Sequence, residues 1–267
     1  MGYESRLCTV WCGVFILQKK VYAIILAAGV GQRMRNTGLP KQFLKINGKP
    51  IIVYTLEKFE EHTEISGIVI VCKEGYLEQM EMFTERYHIA KVKKILVGGR
   101  DRQSSLYRGL QAITDIGGTA DDVVIIHDGV RPLVSTVTIN ENIRVAAESG
   151  AAMTVHPVTE TVVVTGDDDA QIDHFQKRDE TYSLTSPQSF RLGGIMDAYG
   201  RMLEEEKDGG ENGGIPLLDA AMVYARYMGE VPMVKDSGTN IKITTPEDFY
   251  ILRSMFEMEE NKFIFGL

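Results

Sequence analysis

The stretch Val21–Gln42, VYAIILAAGVGQRMRNTGLPKQ, combines small residues with cations in the way a phosphate-binding turn requires. Its apolar run, Tyr22–Leu26, has the character of a buried parallel strand. Small residues then let backbone N–H groups reach a bound anion; they are Ala27, Ala28, Gly29 and Gly31. Arg33 and Lys41 add positive charge where a leaving phosphate develops negative charge. The stretch therefore predicts a triphosphate site with Arg33 and Lys41 as catalytic cations.

This turn differs from the two commonest nucleotide-binding motifs. Met34 stands where the dinucleotide pattern G-x-G-x-x-G has its third glycine. No Gly-Lys-Ser/Thr follows at the spacing of a Walker A loop. Short glycine turns also follow strands in proteins that bind no nucleotide, so the turn alone leaves both interpretations open.

Asp128 follows a second apolar run, Val123–Ile126, at the place where open α/β sheets bind ligands. A carboxylate there suits Mg²⁺, which takes its other ligands from water and substrate phosphates. An Asp after a strand can instead cap a following helix. The neighbouring His127 is not needed as a general base, because a phosphate oxyanion is already nucleophilic at neutral pH. We therefore predict a packing or hydrogen-bonding role for His127.

Five blocks, in a fixed order from about Val21 to Leu252, carry a family resemblance. The pattern L-A-A-G-x-G-x-R-M followed by P-K-Q-F-L resembles sugar-phosphate nucleotidyltransferases. Among these it is most similar to the cytidylyltransferases that act on 2-C-methyl-D-erythritol 4-phosphate or D-ribitol 5-phosphate. The other blocks are GGRDRQSS at Gly98–Ser105, HDGVRP at His127–Pro132, SPQSF at Ser186–Phe190 and NIKITTPED at Asn240–Asp248. Five blocks in family order make this a specific resemblance.

The resemblance implies that an acceptor phosphate attacks the α-phosphorus of the co-substrate CTP in line, with release of pyrophosphate. Mg²⁺ and three cations would stabilise the transition state; the cations are Arg33, Lys41 and Lys242. The implied nucleotide-binding residues are Ala27, Ala28, Gly29, Gly31, Gly99, Asp101, Arg102 and Ser105. For Arg102, a solvated surface charge is the alternative.

The resemblance also implies an acceptor site. Its residues would be Asp128, Arg131, Thr161 and Arg178, with Asp128 as the metal ligand as well. A guanidinium matches phosphate oxygens well because its planar fork donates two parallel hydrogen bonds. In the family an arm, here residues 158–176, pairs with its twin, which implies a homodimer.

A separate set of residues bears on which alditol phosphate is the acceptor. The methylerythritol-phosphate enzymes have a Thr-Asp-x-Ala-Ser block near the acceptor, whereas the matching stretch here, Leu217–Ala221, has no threonine. Tyr182 lies where those enzymes usually have tryptophan, and Ser186 replaces a threonine. An apolar Leu217 cannot replace a lost hydroxyl contact. We therefore expect D-ribitol 5-phosphate to be preferred over 2-C-methyl-D-erythritol 4-phosphate, which is the alternative acceptor.

The sequence is compatible with two further functions. A non-catalytic nucleotide-binding module could keep the glycine-rich turn, although the implied catalytic cations are all present in the sequence. A related nucleotidyltransferase could use UTP or GTP, because base choice depends on backbone contacts that a sequence hardly shows.

The elements that must position these residues alternate along the chain. Strand-like runs occur at Tyr22–Leu26, Ile68–Cys72, Lys94–Val97, Val123–Ile126 and Met153–Pro157, and helical patterns at Ile51–Glu60, Tyr76–Tyr87 and Ser104–Ile113. This order predicts an α/β fold with a mainly parallel sheet and helices on both faces. With the resemblance it becomes a Rossmann-like nucleotidyltransferase fold with a projecting β-arm. We expect one cytidylyltransferase domain at 21–257 and a C-terminal tail at 258–267.

Composition limits the partners and the setting. The chain has 267 residues, 44% of them hydrophobic, which is enough for one large core. A net charge of −8 argues against a nucleic-acid partner. Three cysteines do not make a disulfide framework, so we expect a reducing cytoplasm. The apolar run 7–17 is too short to span a membrane, and we expect residues 1–20 to be an extension outside the core.

Overall fold

The computed structural model describes residues 19–29, 39–166, 171–207, 217–236 and 238–266. Of the predicted site residues, Gly31 and Arg33 lie outside these ranges, as does the predicted N-terminal extension up to residue 18.

Seven strands of the described chain form one sheet. Their bounds are β1 Val21–Ala27, β4 Ile65–Cys72, β5 Val92–Val97, β6 Val123–Asp128, β7 Ala151–Pro157, β10 Tyr182–Arg191 and β11 Met233–Lys235. Their order across the sheet is β11-β7-β10-β6-β1-β4-β5. β10 is antiparallel to both of its neighbours, and the other pairs in this sheet are parallel. The prediction of a mainly parallel sheet is confirmed.

Both faces of the sheet are covered because its strands are apolar on both sides. Along β1, Ala23 and Ile25 join one buried cluster, while Tyr22 and Ile24 join another on the opposite face. Helices α1 Ile51–Glu61, α2 Leu77–Arg86 and α4 Thr136–Ser149 pack on the first face. Helices α3 Arg102–Asp115, α5 Leu192–Lys207 and α6 Ala220–Met228 pack on the second.

The order of the strands creates a crevice between β1 and β6. The chain builds β4 and β5 on one side of β1 and then crosses to place β6 on the other side. In the parallel pair β1 and β6, Leu26 lies opposite Asp128, so the carboxyl ends of both strands meet at one edge of the sheet. Open α/β sheets bind their ligands at such a switch point.

Within the described ranges, two small hairpins lie outside the main sheet. β2 Lys45–Ile46 pairs with β3 Lys49–Pro50, and β8 Val163–Thr165 pairs with β9 Ile172–Phe175. The second hairpin is the arm expected from the sequence, with exposed apolar side chains at Ile172 and Phe175.

The last helix, α7 Pro246–Phe265, begins as expected with Pro246 at its first position. Thr245 Oγ1 accepts a hydrogen bond from the Asp248 backbone N–H at 3.4 Å, and Asp248 Oδ2 accepts one from the Thr245 N–H at 2.7 Å. This reciprocal pair is a capping box. α7 continues past residue 257, where the sequence placed the end of the domain.

The predicted strands and helices are all present, with ends shifted by a few residues. The sequence pattern indicates no strand at Tyr182–Arg191, yet these residues form β10 beside β6. Among the described residues, no helix is both long enough and apolar enough to span a membrane.

Candidate active site

A cleft of about 270 Å³ opens at the carboxyl ends of the strands. Its lining includes Ala28 and Gly29 at the end of β1 and the turn after β5 that contains Gly99. A Cβ added at Gly98 would lie 2.6 Å from the Cβ of Ala28 and 2.9 Å from Ser105 Oγ. The two loops approach so closely that only glycine fits there, and this leaves backbone exposed to a ligand.

The start of α3 forms one wall of the cleft. Asp101 caps this helix, because its side chain accepts a hydrogen bond from the Ser104 N–H at 2.8 Å. That bond lowers the pKa of Asp101. Ser105 Oγ accepts from the Gly99 N–H at 2.9 Å and donates to the Asp101 carbonyl at 2.7 Å. Both side chains therefore shape the turn that forms this wall.

Asp128 is the centre of a charge cluster at the end of β6. Its Oδ1 lies 3.0 Å from Arg102 Nη1, and its Oδ2 lies 3.2 Å from Arg131 Nε and 3.0 Å from Lys242 Nζ. Burial alone would raise the pKa of this carboxyl, but the three cations outweigh burial and hold the pKa well below its usual value. Asp128 is therefore ionised, and the cations converge on one point.

Arg102 links this cluster to a second carboxylate that the sequence did not single out. Its Nη2 lies 2.9 Å from Asp219 Oδ1, just before α6. Gln188 on β10 donates to the same oxygen at 3.2 Å and accepts from the Ala221 N–H at 3.3 Å. The alternative of Arg102 as a solvated surface charge is therefore wrong, since two carboxylates hold its guanidinium at the cleft.

Lys41 reaches the site from a separate one-turn 3₁₀ helix, Lys41–Phe43. Its Nζ donates to the carbonyl of Ile243 at 2.7 Å. The buried Gln42 donates to the Ala27 carbonyl at 2.6 Å, which ties this turn to the end of β1. Lys41 is thus next to the Asn240–Thr244 segment that carries Lys242, although the two bonded residues are 202 positions apart in the sequence.

Lys242 is held by the segment between β11 and α7. Ile243 is fully buried, and its N–H donates to the Val130 carbonyl at 3.1 Å. The N–H groups of Thr244 and Thr245 both donate to Asp248 Oδ2 at 2.7 Å. The start of α7 therefore fixes the loop, and the loop places Lys242 against Asp128.

His127, the residue before Asp128 on β6, is completely buried. Burial lowers its pKa to about 4. Its ring nitrogens lie 3.1 Å from Ser186 Oγ and 3.0 Å from the Arg131 carbonyl. The predicted packing and hydrogen-bonding role of His127 is confirmed.

Thr161 and Arg178 lie at the base of the arm. Arg178 Nη2 donates to Thr161 Oγ1 at 3.2 Å, and both residues are exposed. The structure thus pairs these two predicted acceptor residues with each other. Of the other described members of the predicted site, six line the cleft, and they are Ala28, Gly29, Gly99, Asp101, Arg102 and Ser105. Arg102, Arg131 and Lys242 contact Asp128. Ala27 and Lys41 lie next to these groups, through the Gln42 bond to the Ala27 carbonyl and the Lys41 bond to the Ile243 carbonyl.

Comparison with known proteins identifies a family. Residues 21–258 match the family described as 2-C-methyl-D-erythritol 4-phosphate cytidylyltransferase. This chain belongs to that family. The prediction of a cytidylyltransferase-type nucleotidyltransferase, made from the motifs, is confirmed.

Individual relatives cover nearly the whole chain. A ribitol-5-phosphate cytidylyltransferase of Streptococcus agalactiae serotype III is 38% identical over 91% of this chain and 98% of its own length. A 2-C-methyl-D-erythritol 4-phosphate cytidylyltransferase of Clostridium botulinum is 36% identical over 88% of this chain and 96% of its own. The crystal structure of 4-diphosphocytidyl-2C-methyl-D-erythritol synthase from Anaerococcus prevotii superposes with a TM-score of 0.75, at 25% identity, over 90% of this chain and 96% of that one.

Proposed function

We propose that this chain transfers CMP from CTP to D-ribitol 5-phosphate, giving CDP-ribitol and pyrophosphate. The observation that carries the proposal is the convergence of Arg102, Arg131 and Lys242 on Asp128, beside a cleft whose lining includes the small residues Ala28, Gly29 and Gly99. A site for in-line phosphoryl transfer needs little more than positioned positive charge and exposed N–H groups.

The nucleotide would bind with its triphosphate over the Ala28–Gly29 turn and its base against the Gly99 turn. Lys41 and Lys242 would then face the α-phosphate, and Arg33 would join them from its place in the same motif. The acceptor phosphate would take its contacts from Arg131 and, through the arm, from Thr161 and Arg178. The phosphate oxyanion needs no activation, so the protein contributes orientation and charge.

A magnesium ion fits this site only as a partner of the triphosphate. The described residues contain no group of three or more His, Cys, Asp or Glu side chains that could hold a metal. Asp128 offers one carboxylate, and both of its oxygens already have cation partners. Mg²⁺ is commonly bound by one or two carboxylates with phosphate and water as its other ligands. Asp128 is the residue we propose as its protein ligand, and the ion would neutralise phosphate charge.

The choice of acceptor follows from the residues just before α6. Leu217 packs against the buried cluster on the second face, whereas Leu218, directly before Asp219, is 64% exposed. We therefore propose Leu218, in addition to the Leu217 considered from the sequence, as the residue beside the acceptor. A leucine there offers no hydroxyl. The relatives named as ribitol-5-phosphate cytidylyltransferases support the same acceptor.

We also propose that the protein works as a homodimer joined through its arm. The strands β8 and β9 form a sheet of two strands, with Val163, Ile172 and Phe175 exposed. A two-stranded hairpin with an apolar surface is marginally stable alone. A second arm would cover that surface and bring Thr161 and Arg178 to the neighbouring site.

The test is the ratio of kcat/KM for D-ribitol 5-phosphate and 2-C-methyl-D-erythritol 4-phosphate at saturating CTP and magnesium. We expect the ribitol substrate to be preferred. Leu218→Thr should shift the ratio toward the methylerythritol substrate by up to about tenfold, since one hydrogen bond contributes about 0.5–1.5 kcal/mol net. Leu217→Thr is the matched control. A wild-type ratio that favours the methylerythritol substrate would overturn the acceptor and leave cytidylyl transfer intact.

A further inference from the structure

A closed ring of hydrogen bonds lies directly behind the charge cluster. The Asp128 backbone N–H donates to Ser186 Oγ at 3.2 Å, and Ser186 Oγ lies 3.1 Å from His127 Nδ1. His127 Nε2 lies 3.0 Å from the Arg131 carbonyl. Arg131 Nη1 donates to the Asn240 carbonyl at 2.7 Å, and Asn240 Nδ2 donates to the Ser186 carbonyl at 2.6 Å. The ring joins β6, the turn after it, β10 and the segment before α7.

The partners of His127 determine where its proton lies. A carbonyl oxygen can only accept, so Nε2 must carry the hydrogen and donate to Arg131. In a neutral imidazole Nδ1 is then the acceptor, and the Ser186 hydroxyl donates to it. Ser186 Oγ still has a lone pair for the Asp128 N–H. Each hydrogen bond from the Asp128 N–H to the Arg131 carbonyl therefore has one defined donor and one defined acceptor.

These buried residues touch the site only through other residues. His127 is fully buried beside the ring of Phe59, with 5.2 Å between the ring centroids, and Ser186 is 2% exposed. What they contact is the backbone of Asp128 and Arg131, whose side chains pair with each other in the charge cluster. A shift in either bond would move one of these charged side chains.

We propose that His127, with its proton on Nε2, is a positioning residue that fixes Asp128 and Arg131 relative to each other. This inference rests on the proposed cytidylyl transfer. Its donor bond holds the turn that carries Arg131, and its acceptor bond holds the Ser186 hydroxyl that anchors Asp128. If His127 served only to fill space, the positions of Arg131 and Asp128 would not depend on its two hydrogen bonds.

The first test needs no catalysis. In protein labelled with ¹⁵N at its five histidines, the His127 signal at neutral pH should show a protonated Nε2 and an unprotonated Nδ1. In Ser186→Ala the Nδ1 shift should move, because that nitrogen loses its donor. A protonated Nδ1 in the wild type, or an Nδ1 shift that ignores Ser186→Ala, would overturn the proposal. A wrong substrate would leave this result unchanged.

The second test uses rates. Ser186→Thr keeps the hydroxyl and should retain activity, whereas Ser186→Ala and His127→Asn should lower kcat/KM for the alditol phosphate about tenfold or more, as loss of an orienting partner commonly does. The KM for CTP should change much less. His62→Asn is the control, because His62 is also buried and bonded, to Asn140, but lies away from the cleft.

A double-mutant cycle separates positioning from general damage. If His127 acts through Arg131, His127→Asn should lower kcat/KM by a smaller factor in an Arg131→Lys background than in the wild type. Equal factors in both backgrounds, or a fully active His127→Asn, would overturn the proposal. If His127→Asn does not fold, the Ser186→Ala and Ser186→Thr pair carries the same comparison.

Discussion

Replacing Asp128 with Asn removes the negative charge to which three cations are paired while keeping the shape of the side chain. The Asp128 side chain is 7% exposed, and Arg131 is 11% exposed, but Arg102 and Lys242 are each about one-third exposed. At 3.0 Å and an effective dielectric constant of about 20, each pair has about 5 kcal/mol of Coulomb energy. Desolvation and solvent screening offset much of this.

Breaking a buried ion pair by removing one partner typically costs about 3–5 kcal/mol. Because two of the three cations are partly solvated, we expect the lower end, about 3 kcal/mol of unfolding free energy. For a domain of this size that lowers Tm by about 6–12 °C. The variant leaves positive charge unpaired, so pyrophosphate should bind it well and raise its Tm more than that of the wild type.

The assay is thermal unfolding of both proteins with and without pyrophosphate. Asp115→Asn serves as the control, since its pair with Lys94 at 2.9 Å is on the surface and should contribute under about 1 kcal/mol. If Asp128→Asn had the same Tm as the wild type, the reasoning about the charge cluster would be refuted. Equal stabilisation of both proteins by pyrophosphate would refute the claim that the cations form the anion site.

Three further changes test other parts of the site. Lys41→Ala should lower kcat by about 10²–10³, the loss typical of removing one oriented charge at a reacting phosphate. Lys45→Ala, at an exposed lysine, is the control and should keep full activity. Equal losses of kcat in the two variants would show a general effect of charge. Gly98→Ala should raise the KM for CTP about tenfold or more, because the new Cβ would lie 2.6 Å from Ala28 Cβ and displace the cleft wall. Gly200→Ala is the control and should leave the KM for CTP unchanged, because nothing lies within 4 Å of its added Cβ. An unchanged KM for CTP in Gly98→Ala would mean that the nucleotide binds elsewhere. Asp101→Ala should cost about 1 kcal/mol of stability at neutral pH through loss of a helix cap. The pKa of Asp101 in the folded protein is lowered. The stability difference between the wild type and Asp101→Ala is therefore fully present above the ordinary pKa of 3.8, and it should shrink as the pH falls below that value. Thermal melts of both proteins at about pH 7 and about pH 3.5 measure the difference, and an equal difference at the two pH values would contradict the capping role.

The proposed catalytic cations can be found in the sequence because each stands in a short block of unusual composition. Lys41 follows a proline beside a glycine-rich turn, and Lys242 precedes a clear helix start at Thr245–Pro246. Unbroken apolar runs likewise predicted β1 and β6. These features are local, and local patterns are what a single sequence shows.

The links between those blocks were not predictable, because they join distant parts of the chain. Nothing near Asp219 in the sequence indicates a bond to Arg102, 117 residues away. The strand β10 does not stand out either, because its centre, Thr185–Ser189, has no apolar run and is nonetheless buried. Its polar side chains are buried because Ser186 and Gln188 bond to site residues. Burial of this kind depends on tertiary contacts and leaves no periodic pattern.

The central claim is direct transfer of CMP from CTP to an alditol phosphate. It is tested most directly by incubating the protein with CTP labelled at its α-phosphate, D-ribitol 5-phosphate and magnesium. The label should appear in CDP-ribitol, with one unlabelled pyrophosphate released for each product, and neither should form without the acceptor. Label recovered only as CMP, or no turnover of CTP with either alditol phosphate, would contradict the account.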